Sequence, residues 1–391
     1  MAHRKKKIFT ILSFTLTFLI LEGVGKPLFP VGNSSSLPLP ENPLKGSKVF
    51  IHKGCINCHK IWGIGGDFGP DLTKIGQEKN FFELAGSLWS HSPKMIEVMK
   101  EKNIERPVLS PQDIEELMAY LYYQGFFDES GDYLKGETLF SSKGCLKCHS
   151  LGGEKKKRGP SLDRYGRYVS PVFIATALWN HSSTISELML ENPLNAKEMS
   201  HLLAYIKEEA INRNGETVYM EPGSPREGEA IFLKKKCTVC HKSQHINLKE
   251  SDLRKSLTEI VRMMWNHSYQ MWEEMKEKGL DIPVFENKEM ADLMAYLYFL
   301  QYYSKKGSAK KGRKVFQEKG CISCHSQEAV KKKMGIDLAE FSQLNVFELI
   351  SIMWNHLPQM EKMVTELKLE WPRFEKDELK DLIRYIQSLK K

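Results

Sequence analysis

Eight cysteines occur in the 391-residue chain, and all eight fall in four copies of one string: Cys55-Ile56-Asn57-Cys58-His59, Cys145-Leu146-Lys147-Cys148-His149, Cys237-Thr238-Val239-Cys240-His241 and Cys321-Ile322-Ser323-Cys324-His325. None is left over for a disulfide or a free thiol. C-x-x-C-H is the attachment signature of a c-type haem. Two thiols one turn apart can each add across a vinyl group of the same porphyrin, and the adjacent histidine then lies under the iron. Cysteine pairs at this spacing also serve zinc and dithiol redox sites. Zinc would use two pairs per metal and leave the four adjacent histidines unexplained. A dithiol centre would come in a βαβ setting, which the flanking sequence lacks. The expected cofactor is therefore haem c, four per chain. It would be attached through Cys55, Cys58, Cys145, Cys148, Cys237, Cys240, Cys321 and Cys324, with His59, His149, His241 and His325 as proximal iron ligands.

The elements that must position these residues recur with them, so the architecture is a repeat. The first cysteines stand at 55, 145, 237 and 321. A glycine precedes each by nine residues (Gly46, Gly136, Gly228, Gly312) and a phenylalanine by five (Phe50, Phe140, Phe232, Phe316). A Trp-x-His follows, with the pairs Trp89/His91, Trp179/His181, Trp265/His267 and Trp354/His356. A closing helix with Tyr120, Tyr205, Tyr296 or Tyr385 ends each unit. In those helices apolar residues return at i, i+3, i+4 and i+7, as in Ile114, Leu117, Met118 and Leu121, the period of a one-faced helix. Ser110-Pro111 and Asn287 are expected N-terminal signals for two of them. The segments before each motif also read as helical, and strand alternation is absent. The expected fold is all-α: four small helical domains over 42–127, 133–211, 225–303 and 309–391, one haem each.

The N-terminus carries an export signal. His3-Arg4-Lys5-Lys6-Lys7 is basic, and Ile8 to Leu21 is a short, mostly apolar run. Residues 1–25 read as a signal peptide or a retained N-terminal anchor, and 26–41 as a Pro/Ser/Gly-rich linker. Either reading places the bulk of the chain in the periplasm or another extracytoplasmic space, where haem c is attached in bacteria. The formal net charge of +8, with no basic stripe interleaved with aromatics, argues against a nucleic-acid surface.

Gly-x-x-x-Phe, then C-x-x-C-H, then Gly-Pro-x-Leu, then a closing helix with tyrosine resembles the class I cytochrome c domain, repeated four times over about residues 42 to 391. The resemblance implies that opening and closing helices cross tightly at the glycines. It also implies that a proline carbonyl, of Pro70 or Pro160, accepts a hydrogen bond from the proximal histidine ring. Such a bond fixes the ring and raises its basicity. Repeats 3 and 4 lack the Gly-Pro pair and align through Asn247-Leu248 and Asp337-Leu338, so His241 and His325 are expected to be held differently.

The resemblance further implies a methionine as the second axial ligand, ahead of the last helix. Counting from the Trp-x-His histidine, position +4 is Met95, Ile185, Met271 and Met360. Position +8 is Met99, Met189, Met275 and Val364, with Met363 one residue earlier. The histidine itself, His91, His181, His267 or His356, is the other candidate, being present at one fixed position in all four repeats. Methionines at helical spacing commonly serve as core, and a histidine there could bond a haem propionate instead.

The expected function is electron transfer, a tetrahaem carrier between extracytoplasmic redox proteins. Two alternatives stand beside it. One is a haem enzyme of the peroxidase or reductase type with an open-site haem, for which repeat 2, short and with Ile185 in place of a methionine, is the candidate. The other is a cytochrome subunit of a membrane respiratory complex.

Overall fold

A computed structural model describes residues 37–391, apart from 129, 152–156, 163–169, 192, 215–221, 242–247, 249–252, 254, 304–305 and 390–391. The expected signal or anchor over 1–25 and most of the 26–41 linker lie outside the described residues. Pro38–Lys391 forms one compact unit. Among the described residues it is helical save for a two-residue antiparallel hairpin, Lys60–Ile61 with Ile64–Gly65, beside the first motif.

Each repeat is built from an opening, a middle and a closing helix. The opening helices are Gly46–His52, Tyr133–Ser142, Pro225–Lys234 and Ala309–Glu318. The last three start where the side chain of Asp132, Ser224 or Ser308 accepts the N–H three residues on, the usual way of satisfying a helix's first donors. The closing helices are Pro111–Gln124, Ala196–Asn214, Asn287–Phe299 and Glu378–Ser388. Ser110 caps the first of these in a capping box with Asp113. In the third, Asn287 is already the first helical residue. Glu286 is the cap, and its N–H donates to the Glu289 carboxylate at 3.2 Å.

Opening and closing helices cross at the recurrent glycines. A Cβ on Gly46 would stand 2.0 Å from the Glu116 carbonyl oxygen and 2.6 Å from Cβ of Tyr120, so only glycine permits this approach. Gly136, Gly228 and Gly312 meet the carbonyls of His201, Asp292 and Asp381 in the same way. Beside each crossing the recurrent aromatics touch: Phe50 with Tyr120, Phe140 with Tyr205, Phe232 with Tyr296, Phe316 with Tyr385, ring centroids 5.4 to 5.9 Å apart. Pairs in this range add to simple area burial.

The middle helices bridge repeats. Pro171–Glu191, Leu257–Glu277 and Val346–Glu366 each run 21 residues. In repeat 1 the equivalent is broken at His91 into Phe81–Ser90 and Ser92–Glu101, with Pro93 opening the second piece. Three of the four Trp-x-His tryptophans reach across to another repeat. Trp89 Nε1 donates to the Pro372 carbonyl at 2.8 Å, and Trp354 Nε1 returns the bond to Pro107 at 2.8 Å, which joins repeats 1 and 4 reciprocally. Trp179 Nε1 donates to Pro283 at 2.6 Å and joins repeats 2 and 3.

A third interface joins repeats 1 and 3. Tyr122 Oη donates to the Tyr298 carbonyl at 3.1 Å and Tyr298 Oη to the Tyr122 carbonyl at 2.8 Å, both buried. Phe81 N–H donates to Tyr302 at 2.8 Å and Leu257 N–H to Phe126 at 2.7 Å, so each closing segment caps the other repeat's middle helix. Tyr122, Tyr123, Phe126, Tyr298, Phe299 and Tyr302 form the dry centre of this contact. These three interfaces run through the repeats in the order 4–1–3–2, which is not their order along the chain.

Candidate haem centres

Each C-x-x-C-H is held as one tight turn. The residue before the first cysteine is left-handed: Gly54 at φ 77°, Gly144 at 80°, Gly320 at 77°, and in repeat 3 Lys236 at 60°. The chain then curls so that the histidine N–H donates to the first cysteine's carbonyl, at 3.0, 2.9, 3.0 and 3.0 Å in repeats 1 to 4. Both thiols and the imidazole are thereby brought to one side of the turn. All eight cysteines are half-buried. Burial pushes the first thiol of each pair, Cys55, Cys145, Cys237 and Cys321, up to about 11. That setting favours an uncharged sulfur over a thiolate. It suits thioethers, which carry no charge. Among the described residues no group of three or more His, Cys, Asp or Glu is placed to hold a metal ion.

Three of the four motif histidines are oriented by backbone carbonyls. His59 Nδ1 is 3.0 Å from the Pro70 oxygen and His149 Nδ1 2.9 Å from that of Pro160, each eleven residues on. Gly69 and Gly159 let the ring lie there, since a Cβ at either would meet the imidazole at 2.4 or 2.8 Å. His325 departs from the expectation that it is held differently. Its Nδ1 lies 3.0 Å from the Ile336 oxygen, again eleven residues on, and Gly335 precedes that isoleucine. A carbonyl needs no proline to accept, so Gly-Ile does the work of Gly-Pro. His241 differs from the other three: its buried Nδ1 has no hydrogen-bond partner among the described residues.

In repeat 2 the Trp-x-His histidine stands across the ring of the motif histidine. The His149 and His181 ring centroids are 6.1 Å apart at an interplanar angle of 67°. In repeat 4, His325 and His356 line one cleft of about 1060 Å³ together with Cys321, Cys324, Met360 and Met363. This is at the upper end of the roughly 300–1,000 Å³ of cofactor-sized sites. The pairing registers electrostatically in every repeat. Desolvation, followed by the facing histidine, lowers the pKa of His181 beside His149, His241 beside His267 and His356 beside His325. His91 is lowered by desolvation and, less, by His59, against an opposing hydrogen bond to the Ser87 backbone, although the residue as a whole is exposed.

The methionine candidates lie farther along the same helices. Met95, Met99, Met271, Met275, Met360 and Met363 are half-buried; the Met189 side chain lies outside the described residues. In the Trp-x-His motif, sequence reasoning missed the middle residue. Asn355 Nδ2 donates to the Leu109 carbonyl at 2.8 Å while Leu109 N–H donates to Asn355 Oδ1 at 3.1 Å. Asn180 pairs likewise with Phe285 at 2.7 and 2.9 Å, and Asn266 with Leu194 at 2.8 and 3.1 Å. In repeat 1 Ser90 replaces asparagine and accepts from Phe374 N–H at 2.8 Å. The available signal was the asparagine recurring between tryptophan and histidine in three of the four motifs.

The thiols, turn and imidazoles fit covalent haem on chemistry and on space. Comparison with known proteins agrees. The cytochrome c family model matches residues 44–124 and 309–390, repeats 1 and 4. A stretch of 103 residues is 31% identical to a cytochrome c oxidase subunit 2 of Alkalihalophilus pseudofirmus; the match covers 23% of this chain and 28% of that relative. No solved structure matches. Among the described residues no helix is long and apolar enough to cross a membrane.

Proposed function

From a chain that carries cytochrome c domains and binds four haem c groups covalently, we infer an electron relay in which charge passes through the repeats in their spatial order, 4–1–3–2. The haems supply one-electron exchange between ferric and ferrous iron, and the protein supplies ligation, orientation and exclusion of water. The observation that carries the reading is the coincidence of four complete C-x-x-C-H turns with one continuous set of interfaces. Trp89 and Trp354 bind repeat 4 to repeat 1. Tyr122 and Tyr298 bind repeat 1 to repeat 3. Trp179 binds repeat 3 to repeat 2. A relay gains from fixed spacing, and reciprocal buried hydrogen bonds provide it better than flexible linkers would.

Repeats 2 and 4 end this series, so they are the proposed points of entry and exit for redox protein partners. The basic N-terminus and apolar run support export to an extracytoplasmic space. The local likeness to an oxidase subunit supports a respiratory complex as one partner. The enzyme alternative needs an open iron, and repeat 2 was its candidate. His181 facing His149 in that repeat weighs against it. Carbon monoxide added to the dithionite-reduced holoprotein tests the reading. A relay leaves the reduced spectrum unchanged; rapid formation of a carbon monoxide adduct at one haem would favour the enzyme.

A further inference from the structure

We propose that the second axial ligand in all four centres is the histidine of the Trp-x-His motif (His91, His181, His267 and His356) and that the neighbouring repeat holds that ring in place. The inference rests on the four-haem reading and departs from the methionine ligation that the class I resemblance implies.

Geometry in repeat 2 favours the histidine. Two imidazoles on opposite sides of one metal, each nitrogen about 2 Å from it as in other metal–histidine bonds, set their ring centroids about 6 Å apart. His149 and His181 stand at 6.1 Å. In repeats 2 to 4, where the middle helix is continuous, positions +4 and +8 lie about 6 and about 12 Å farther along it at 1.5 Å per residue. A helix that presents its histidine across the proximal ring therefore carries the +8 methionine well beyond the same iron. The +4 position is isoleucine in repeat 2, and +8 is valine in repeat 4, so neither methionine position serves every site. In repeat 4 the histidine, Met360 and Met363 share the cleft, but only the histidine recurs at the same position in all four repeats. These histidines also directly follow residues that anchor the helix to another repeat. The two residues before each one, Trp89-Ser90, Trp179-Asn180, Trp265-Asn266 and Trp354-Asn355, bond through at least one side chain to a loop of another repeat. Groups that orient a metal ligand from behind are a regular part of metal sites. Here they come from a different domain, so ligation and repeat assembly depend on each other.

Near-infrared magnetic circular dichroism and electron paramagnetic resonance on the oxidised holoprotein test this directly, with a pyridine haemochrome count in parallel. The proposal expects four haems, all low-spin, and no thioether-to-iron band. A thioether band that disappears in Met99→Ala or Met275→Ala would overturn it, and a count of four would leave the four-haem reading standing. His181→Ala should convert one haem in four to high spin or render it reactive to carbon monoxide, whereas Met99→Ala and Met275→Ala should change neither. Should His181→Ala fail to mature, the wild-type spectrum decides alone. For the positioning role, Asn180→Ala should keep four haems yet broaden or shift one low-spin signal. An unchanged low-spin spectrum in Asn180→Ala would remove the neighbour's part in holding the ring.

Discussion

Repeats 1 and 3 face each other as near-equivalents across the Tyr122/Tyr298 interface, yet they treat their haem motifs differently. Both cross their helices at a glycine, Gly46 or Gly228, over a carbonyl 2.0 Å from the position of a Cβ. Both offer a tyrosine hydroxyl to the partner's backbone. But repeat 1 enters its motif through Gly54, whereas repeat 3 uses Lys236 in the same left-handed conformation. Repeat 1 also steadies His59 on the Pro70 carbonyl, whereas His241 Nδ1 has no partner among the described residues. Features that build the fold are thus kept between the two repeats, and features that tune the iron are not. One scaffold can in this way host centres of different potential.

The largest expected effect should be common to both repeats. Gly46→Val and Gly228→Val each force a side chain into backbone at the helix crossing and should each cost about 3 kcal/mol, read from chemical unfolding of the holoprotein. A small loss at one site and a large one at the other would break the equivalence. Tyr122→Phe and Tyr298→Phe remove one buried hydroxyl each, with the hydrogen bond it donates across the interface. We expect about 1–2 kcal/mol for either, and clearly less than additive loss in the double variant, because the two bonds share one interface.

Smaller changes should fall on repeat 3 alone. Lys236→Gly relieves a left-handed lysine but adds freedom to the unfolded chain, for a net gain of about 0.5 kcal/mol; the same measurement on the holoprotein checks it. The smallest effect is on potential. An imidazole that donates to a carbonyl is the more basic ligand and stabilises ferric iron more, and His241 Nδ1 has no such partner among the described residues. The haem of repeat 3 should therefore titrate above that of repeat 1 in a redox titration resolved by site, for example by nuclear magnetic resonance of the haem methyls. Equal potentials would remove the hydrogen bond as the distinguishing factor.

Much of the site was legible in the chain because covalent attachment demands a fixed local string. Cys55, Cys58 and His59 must lie within one turn, and four copies leave little room for another chemistry. The helix crossing was also legible, since Gly46, Phe50 and Tyr120 recur at set offsets and each offset has a steric reason. The arrangement of repeats was not. Trp89 meets a carbonyl 283 residues away and Tyr122 one 176 residues away, and no periodicity encodes which repeat touches which. The distal ligand stayed open for a related reason. His91, Met95 and Met99 share one helical face, so spacing alone cannot say which of them stands opposite His59. Only the packing of the middle helix against another repeat sets its position. The Gly-Pro pair misled in repeat 4: the function belongs to the carbonyl at that position, and Ile336 supplies it as well as proline does.

The central claim is that one chain holds four haems that serve as a reversible electron store and relay. Spectroelectrochemical titration of the purified holoprotein, with charge counted against protein concentration, tests it most directly. The account expects four electrons per chain, taken up and released reversibly, with low-spin spectra throughout. Uptake of fewer than four electrons, or a reduced form with a high-spin haem, would contradict it.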